Sequence, residues 1–249
     1  MQPTDYIILN RAARQKRNSE FAPEPSPNEM NERGKKTHEK NAPPVIFTIG
    51  HSTRPIEEFI GLLRANGVEQ LIDIRTIPKS RHNPQFNSET LAAALGVAGI
   101  RYTHLKELGG LRRARSDSVN LGWRNASFRG FADYMQTPEF AAGLARAIRL
   151  AEERPSALMC AEAVPWRCHR SLVADALVVR GICVMEIISE AAPKEHKLTP
   201  FARVRGVEIT YPSDEPLFSE PGTEPAIPRC DRERSADRRV KSRKAAKHK

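Results

Sequence analysis

Between Ser156 and Gly181 the chain reads SALMCAEAVPWRCHRSLVADALVVRG, which places Cys160, Glu162, Cys168, His169 and Arg170 within eleven residues. A thiol, a carboxylate, an imidazole and a guanidinium at that density are the parts of nucleophilic catalysis. In that chemistry Cys160 attacks, Glu162 exchanges the proton, and His51 or His169 activates or orients the thiol. The alternatives are structural: a free cysteine is among the most buried residue types, and Glu162 would serve equally as a loop carboxylate paired with Arg170 or Arg75.

The flanking pattern says what must hold these groups. Ala157 to Met159 form a short apolar run, whereas Leu172, Val173, Ala176, Leu177 and Val178 recur at helical spacing and stop before Gly181. This predicts strand, loop, helix. Cys160 and Glu162 then sit at the carboxyl end of a strand, and Cys168 to Arg170 at a helix amino terminus, where free N–H groups favour a thiolate or a bound anion.

The same alternation recurs along the chain. Val45–Ile49, Leu71–Ile74, Ile100–Leu105 and Ile182–Ile188 read as buried strands. Helices are expected from Pro55 to near Gly67, from Asn87 or Ser88 to near Gly99, over Phe128–Met135, and from the capped Thr137-Pro138 start onward. Val204–Tyr211 reads as one more strand, at an edge. The expected fold class is α/β, a three-layer sandwich with a mostly parallel central sheet, covering residues 45–211 as one domain. In such sheets ligands bind beyond the carboxyl ends of the strands. His51, Arg75, His104 and Cys160 each follow or end a strand, so the site is expected at that edge. Arg75, Arg81, Arg124, Cys168 and Arg170 are the expected holders of an anionic substrate.

Six short motifs carry a resemblance: TIGHS at 48–52, DIR at 73–75, PKSRHNPQFN at 78–87, LGG at 108–110, GWRN at 122–125 and the CAExxPWRCHR segment. Together, from about Val45 to Ile188, they resemble the bacterial domain-of-unknown-function family 488. The resemblance implies which residues matter; it carries no settled activity.

The net charge of +10 is unevenly placed. Residues 229–249 hold 10 Lys/Arg against 3 Asp/Glu, residues 1–44 hold 8 against 6, and residues 45–228 hold 22 against 21. The basicity therefore belongs to the carboxyl-terminal tail, expected with the Pro-rich stretch from 212 to be a solvated arm. Residues 1–44 are expected to be disordered, because apolar periodicity stops after Leu9. Four cysteines at uneven spacing suit cytosolic thiols, with Cys183 in the core. The absence of a long apolar run predicts no membrane span and an intracellular protein; the family resemblance implies a bacterial cytoplasm.

The leading expectation is a cysteine-dependent enzyme acting on a nucleotide-like or phosphorylated small molecule by group transfer or hydrolysis, with no cofactor. A nucleic-acid-binding protein is the first alternative, through the basic tail and an Arg-rich loop with Trp123 and Phe128; a DNA-repair association is what the family resemblance implies for it. A zinc-stabilised interaction module is the second, disfavoured because the soft ligands Cys168 and His169 are adjacent. A redox dithiol is also open, although seven residues separate Cys160 from Cys168, unlike a Cys-x-x-Cys loop.

Overall fold

A computed structural model of the chain describes residues 44–213. The disorder expected for residues 1–44, and the linker and basic arm expected for 212–249, concern segments outside those residues except at 44, 212 and 213.

Apolar strands alternate with helices in the order β1 (Val45–Gly50), α1 (Ile56–Ala65), β2 (Gln70–Asp73), α2 (Ser88–Val97), β3 (Arg101–His104), α3 (Ala126–Tyr134), α4 (Pro138–Glu153), β4 (Ser156–Cys160), α5 (Arg170–Val178), β5 (Cys183–Ile187), β6 (Lys194–Glu195), β7 (Arg203–Arg205) and β8 (Glu208–Thr210). Local chemistry sets the ends. The Thr137 hydroxyl accepts from Phe140 N at 3.3 Å to start α4, with Pro138 behind it, and the Asn125 side chain accepts from Ser127 N to start α3. Pro55 takes the position just before α1, one residue earlier than expected.

Six strands pair in the order β3-β2-β4-β1-β5-β6, parallel except where β6 meets β5. Side chains alternate faces along each strand, and the two faces bury separate cores. Ile46, Ile72, Leu158 and Val184 pack with α3, α4 and α5, while Phe47, Leu71, Ala157 and Met185 pack with α1 and α2. The result is the expected three-layer α/β sandwich.

That arrangement creates one crevice. β1 leaves through α1 toward β2, on one face, while its neighbour β4 leaves through α5 toward β5, on the other. Adjacent strands whose connections depart in opposite directions leave a gap beyond their carboxyl ends, where ligands bind in open α/β sheets. Gly50-His51 and Cys160-Ala161 flank this gap.

The single edge strand expected at Val204–Tyr211 is instead a separate hairpin of β7 and β8, pairing Arg205 with Glu208. Gly206, at φ 61°, supplies the positive backbone angle that a two-residue hairpin turn requires.

Buried polar groups fasten the irregular segments onto this frame. Asp133 accepts from Arg115 N, Ser118 Oγ and Asn120 Nδ2, and Asn120 Oδ1 accepts from Tyr211 N, so the long stretch after β3 is organised around α3. Asp175, fully buried on α5, accepts from Tyr211 OH at 2.8 Å and from Thr199 N at 3.1 Å, and His196 Nε2 lies 2.9 Å from it. His196 Nδ1 lies 2.7 Å from Glu186 of β5. Burial by itself would lower the pKa of His196, but its bonds to Asp175 and Glu186 outweigh this and raise it from 6.5 to about 9.

A raised imidazole pKa stabilises the fold fully below the unfolded value of 6.5, and the contribution is lost as pH rises through about 9. Thermal unfolding followed from pH 6 to 10 should show this loss. His196→Gln should remove most of that slope and cost about 3 kcal/mol at pH 6, the order expected when one partner of a buried pair is deleted.

Candidate active site

β4 ends on Cys160, whose side chain takes the face covered by α3–α5. The chain then loops through Glu162 and a short turn at Pro165–Arg167 before α5 opens with His169 and Arg170. This loop folds back over the end of β1. A Cβ on Gly50 would fall on the Glu162 carbonyl and within 2.8 Å of the Arg170 guanidinium, so only glycine lets the strand pass.

Four side chains meet under the loop. Cys160 Sγ and Cys168 Sγ lie 2.6 Å apart, and both residues are buried. Arg170 Nη1 donates to Cys160 Sγ at 2.9 Å and to the Glu162 carbonyl at 3.1 Å, while Nη2 donates to the Ala163 carbonyl at 3.3 Å. The backbone N–H of Arg170 donates to Cys168 Sγ at 3.4 Å. No carboxylate among the described residues pairs with Arg170. Its charge therefore faces sulfur.

The two thiols titrate as a pair. Burial would raise the pKa of Cys160, but the hydrogen bond from Cys168 and the Arg170 charge lower it below the ordinary thiol value. The bond to Cys160, then burial, pushes Cys168 up. The Arg170 charge therefore favours ionisation of Cys160 over that of Cys168.

His169 stands beside them. Its Nε2 lies 3.2 Å from the Ile74 carbonyl, just past β2, so Nε2 carries the hydrogen, and Nδ1 lies 3.6 Å from Cys168 Sγ. Burial holds the ring neutral, with a pKa lowered to about 4. Gly110 lets the backbone of the long loop lie against this ring.

Strand parity sends the second cluster the other way. Asp73, Arg75 and His51 lie on the face covered by α1 and α2. Arg75 Nε and Nη2 bridge both oxygens of fully buried Asp73 at 2.6–3.1 Å, Tyr102 OH donates to the same carboxylate at 2.8 Å, and Nη2 also donates to the Phe86 carbonyl. Arg75 Nη1 meets His51 Nε2 at 3.3 Å, and His51 Nδ1 donates to the Ser52 carbonyl at 2.8 Å. His51 is stacked on Phe86 with ring centroids 4.2 Å apart, and burial lowers its pKa to about 4. Arg75 is thus neutralised by Asp73, and His51 is bonded to Arg75 rather than to the thiols.

Both clusters border one open cleft of about 800 Å³, which His51, Arg75, Cys160, Cys168 and His169 all line. Glu162, Lys79 and Arg167 line it as well, each exposed and with no ion pair among the described residues. Arg81 and Arg124 are exposed and do not line the cleft, and His104 is bonded to the Arg75 carbonyl. The cations facing the cavity are therefore Lys79 and Arg167, not Arg81 and Arg124. Among the described residues no three His, Cys, Asp or Glu side chains gather as a metal-ligand set.

Gly50→Ala should strongly destabilise the protein and slow alkylation of Cys160, because its Cβ displaces Arg170. Gly61→Ala is the control: α1 has open space there, so a gain of about 0.4–1 kcal/mol is expected. Melting temperatures of the two variants, with Cys160 labelling by mass spectrometry, test the contrast.

Among comparisons with known proteins, no curated protein and no solved structure matches the chain. A family model described as Domain of unknown function DUF488 matches residues 55–177. That span runs from the residue before α1 into α5 and takes in Asp73, Arg75, Cys160, Cys168, His169 and Arg170, while His51, β1 and β5 lie outside it: the chain is a member of the DUF488 family.

Proposed function

We propose that this protein is a cysteine-dependent enzyme that acts on an anionic small molecule, nucleotide-like or phosphorylated, by group transfer or hydrolysis. The observation that carries this reading is Arg170 Nη1 at 2.9 Å from Cys160 Sγ with no carboxylate to neutralise it. A buried guanidinium without an acid partner stabilises a thiolate, and the thiolate is the nucleophilic form of cysteine.

The chemistry follows from the cleft. The Cys160 thiolate attacks an electrophilic phosphorus or carbon, the bond to the leaving group breaks, and Glu162 in its protonated form supplies the leaving group's proton. Glu162, now a carboxylate, takes the proton of the acceptor alcohol, amine or water that releases the group from sulfur. Lys79 and Arg167 attract and hold the anion, the role the sequence gave to Arg75, Arg81, Arg124 and Arg170. Arg75 and His51 shape the opposite wall as a rigid neutral pair. No cofactor is invoked. The setting that suits a reactive thiolate is the bacterial cytoplasm, where thiols stay reduced.

Alkylation of the native protein from pH 5 to 9 tests the assignment. Cys160 should react at pH values well below the ~8.5 at which a free thiol ionises, and Arg170→Met should move its profile upward. Phosphorylated small molecules that bind should protect Cys160, and Lys79→Ala with Arg167→Ala should abolish that protection. An inert Cys160 in the wild-type protein would overturn the proposal.

A further inference from the structure

The catalytic reading needs one thiolate, yet the fold brings a second thiol onto it. Cys168 Sγ stands 2.6 Å from Cys160 Sγ across the returning loop, and both residues line the cleft. An S–S bond is about 2.05 Å long, so the pair needs only a small closing movement to join. The Arg170 guanidinium contacts Cys160, and His169 Nδ1 lies 3.6 Å from Cys168.

We propose that Cys160 and Cys168 form a reversible oxidation site for hydroperoxides, in which Cys160 is oxidised first and Cys168 resolves it as a disulfide. The Cys160 thiolate attacks one oxygen of the hydroperoxide. The O–O bond breaks, the departing alkoxide or hydroxide takes up a proton from the solvent of the cleft, and Cys160 is left as the sulfenic acid. Cys168 then attacks Cys160 Sγ. The S–O bond breaks, the departing hydroxide takes up the Cys168 proton as water, and the S–S bond forms. Two thiols and one hydroperoxide become one disulfide, one alcohol or water, and one further water; a dithiol reductant reverses it.

The consequence is protection as well as control. A thiolate alone in an open cleft would pass from sulfenic to sulfinic acid and be lost, whereas a thiol in contact intercepts it. The inference rests on the same Cys160 thiolate as the proposed function, but on no substrate.

The test treats the full-length protein with one equivalent of hydrogen peroxide, blocks remaining thiols with N-ethylmaleimide, and digests with trypsin. Cleavage after Arg167 should yield the tripeptide Cys168–Arg170 joined by disulfide to the peptide ending at Arg167, two hydrogens lighter than the reduced pair. Cys160 alkylation should be lost and should return with dithiothreitol. Cys168→Ser should accumulate sulfenic acid at Cys160, trapped by dimedone, and then sulfinic acid that dithiothreitol cannot reverse. Sulfinic acid at Cys160 of the wild-type protein without the linked peptide would overturn the inference while leaving the thiolate intact. A Cys160 that neither alkylates nor oxidises would overturn both readings.

Discussion

The site depends on a buried positive charge that no carboxylate neutralises. Arg170 is 1% exposed, and its guanidinium meets one sulfur and two carbonyl oxygens, while its Nε finds no partner among the described residues. Removing a cation from water costs several kcal/mol unless it is paired. The polarisable sulfur of Cys160 is what the fold sets against it, so the contact that shelters the cation also favours negative charge on that sulfur.

Arg75 makes the opposite case from the same residue type. It too is buried, just past the end of β2, but Asp73 lies two positions earlier on the same side and takes its Nε and Nη2 donors. Its charge is consumed, and what remains is a stiff support for a neutral His51. The two clusters lie on opposite faces of the sheet because the side chains of Asp73 and Cys160 take opposite faces at the ends of adjacent strands. The cleft between β1 and β4 opens onto both: one wall carries the two cysteines, and the other carries rings and a closed ion pair.

Much of this was legible in the chain. The strand and helix order, the capped Thr137 start, and the placement of Cys160 and Arg170 across a strand–loop–helix follow from local periodicity and capping. Chemistry made by distant partners was not. Arg75 reads as an anion holder until Asp73 is known to share its face, although the i, i+2 spacing in DIR was the available signal. Lys79 and Arg167 were visible as charges, but only the cleft distinguishes them from Arg81 and Arg124. The closeness of Cys168 to Cys160 depends on the turn at Pro165–Arg167, and a count of intervening residues does not show where a loop returns. The buried set of Asp175, Glu186, His196 and Tyr211 joins four separate segments, so no window of sequence contains it.

That set bears on the reactive end of the molecule through α5. Every residue of the helix is buried, and its length is short: Arg170 fixes the amino end to the sulfur cluster, and Asp175, five residues on, fixes the middle to His196 and Tyr211. A nine-residue helix cannot hold its place by its own backbone bonds. It is positioned by these two polar anchors and by the apolar face that packs with α3 and α4. The segment beyond β5, which contributes nothing to the cleft lining, therefore helps determine where Arg170 stands. The direction of that dependence is set by charge: His196 is an imidazolium between two carboxylates, and its loss would leave Asp175 charged and buried beneath the helix that carries the guanidinium.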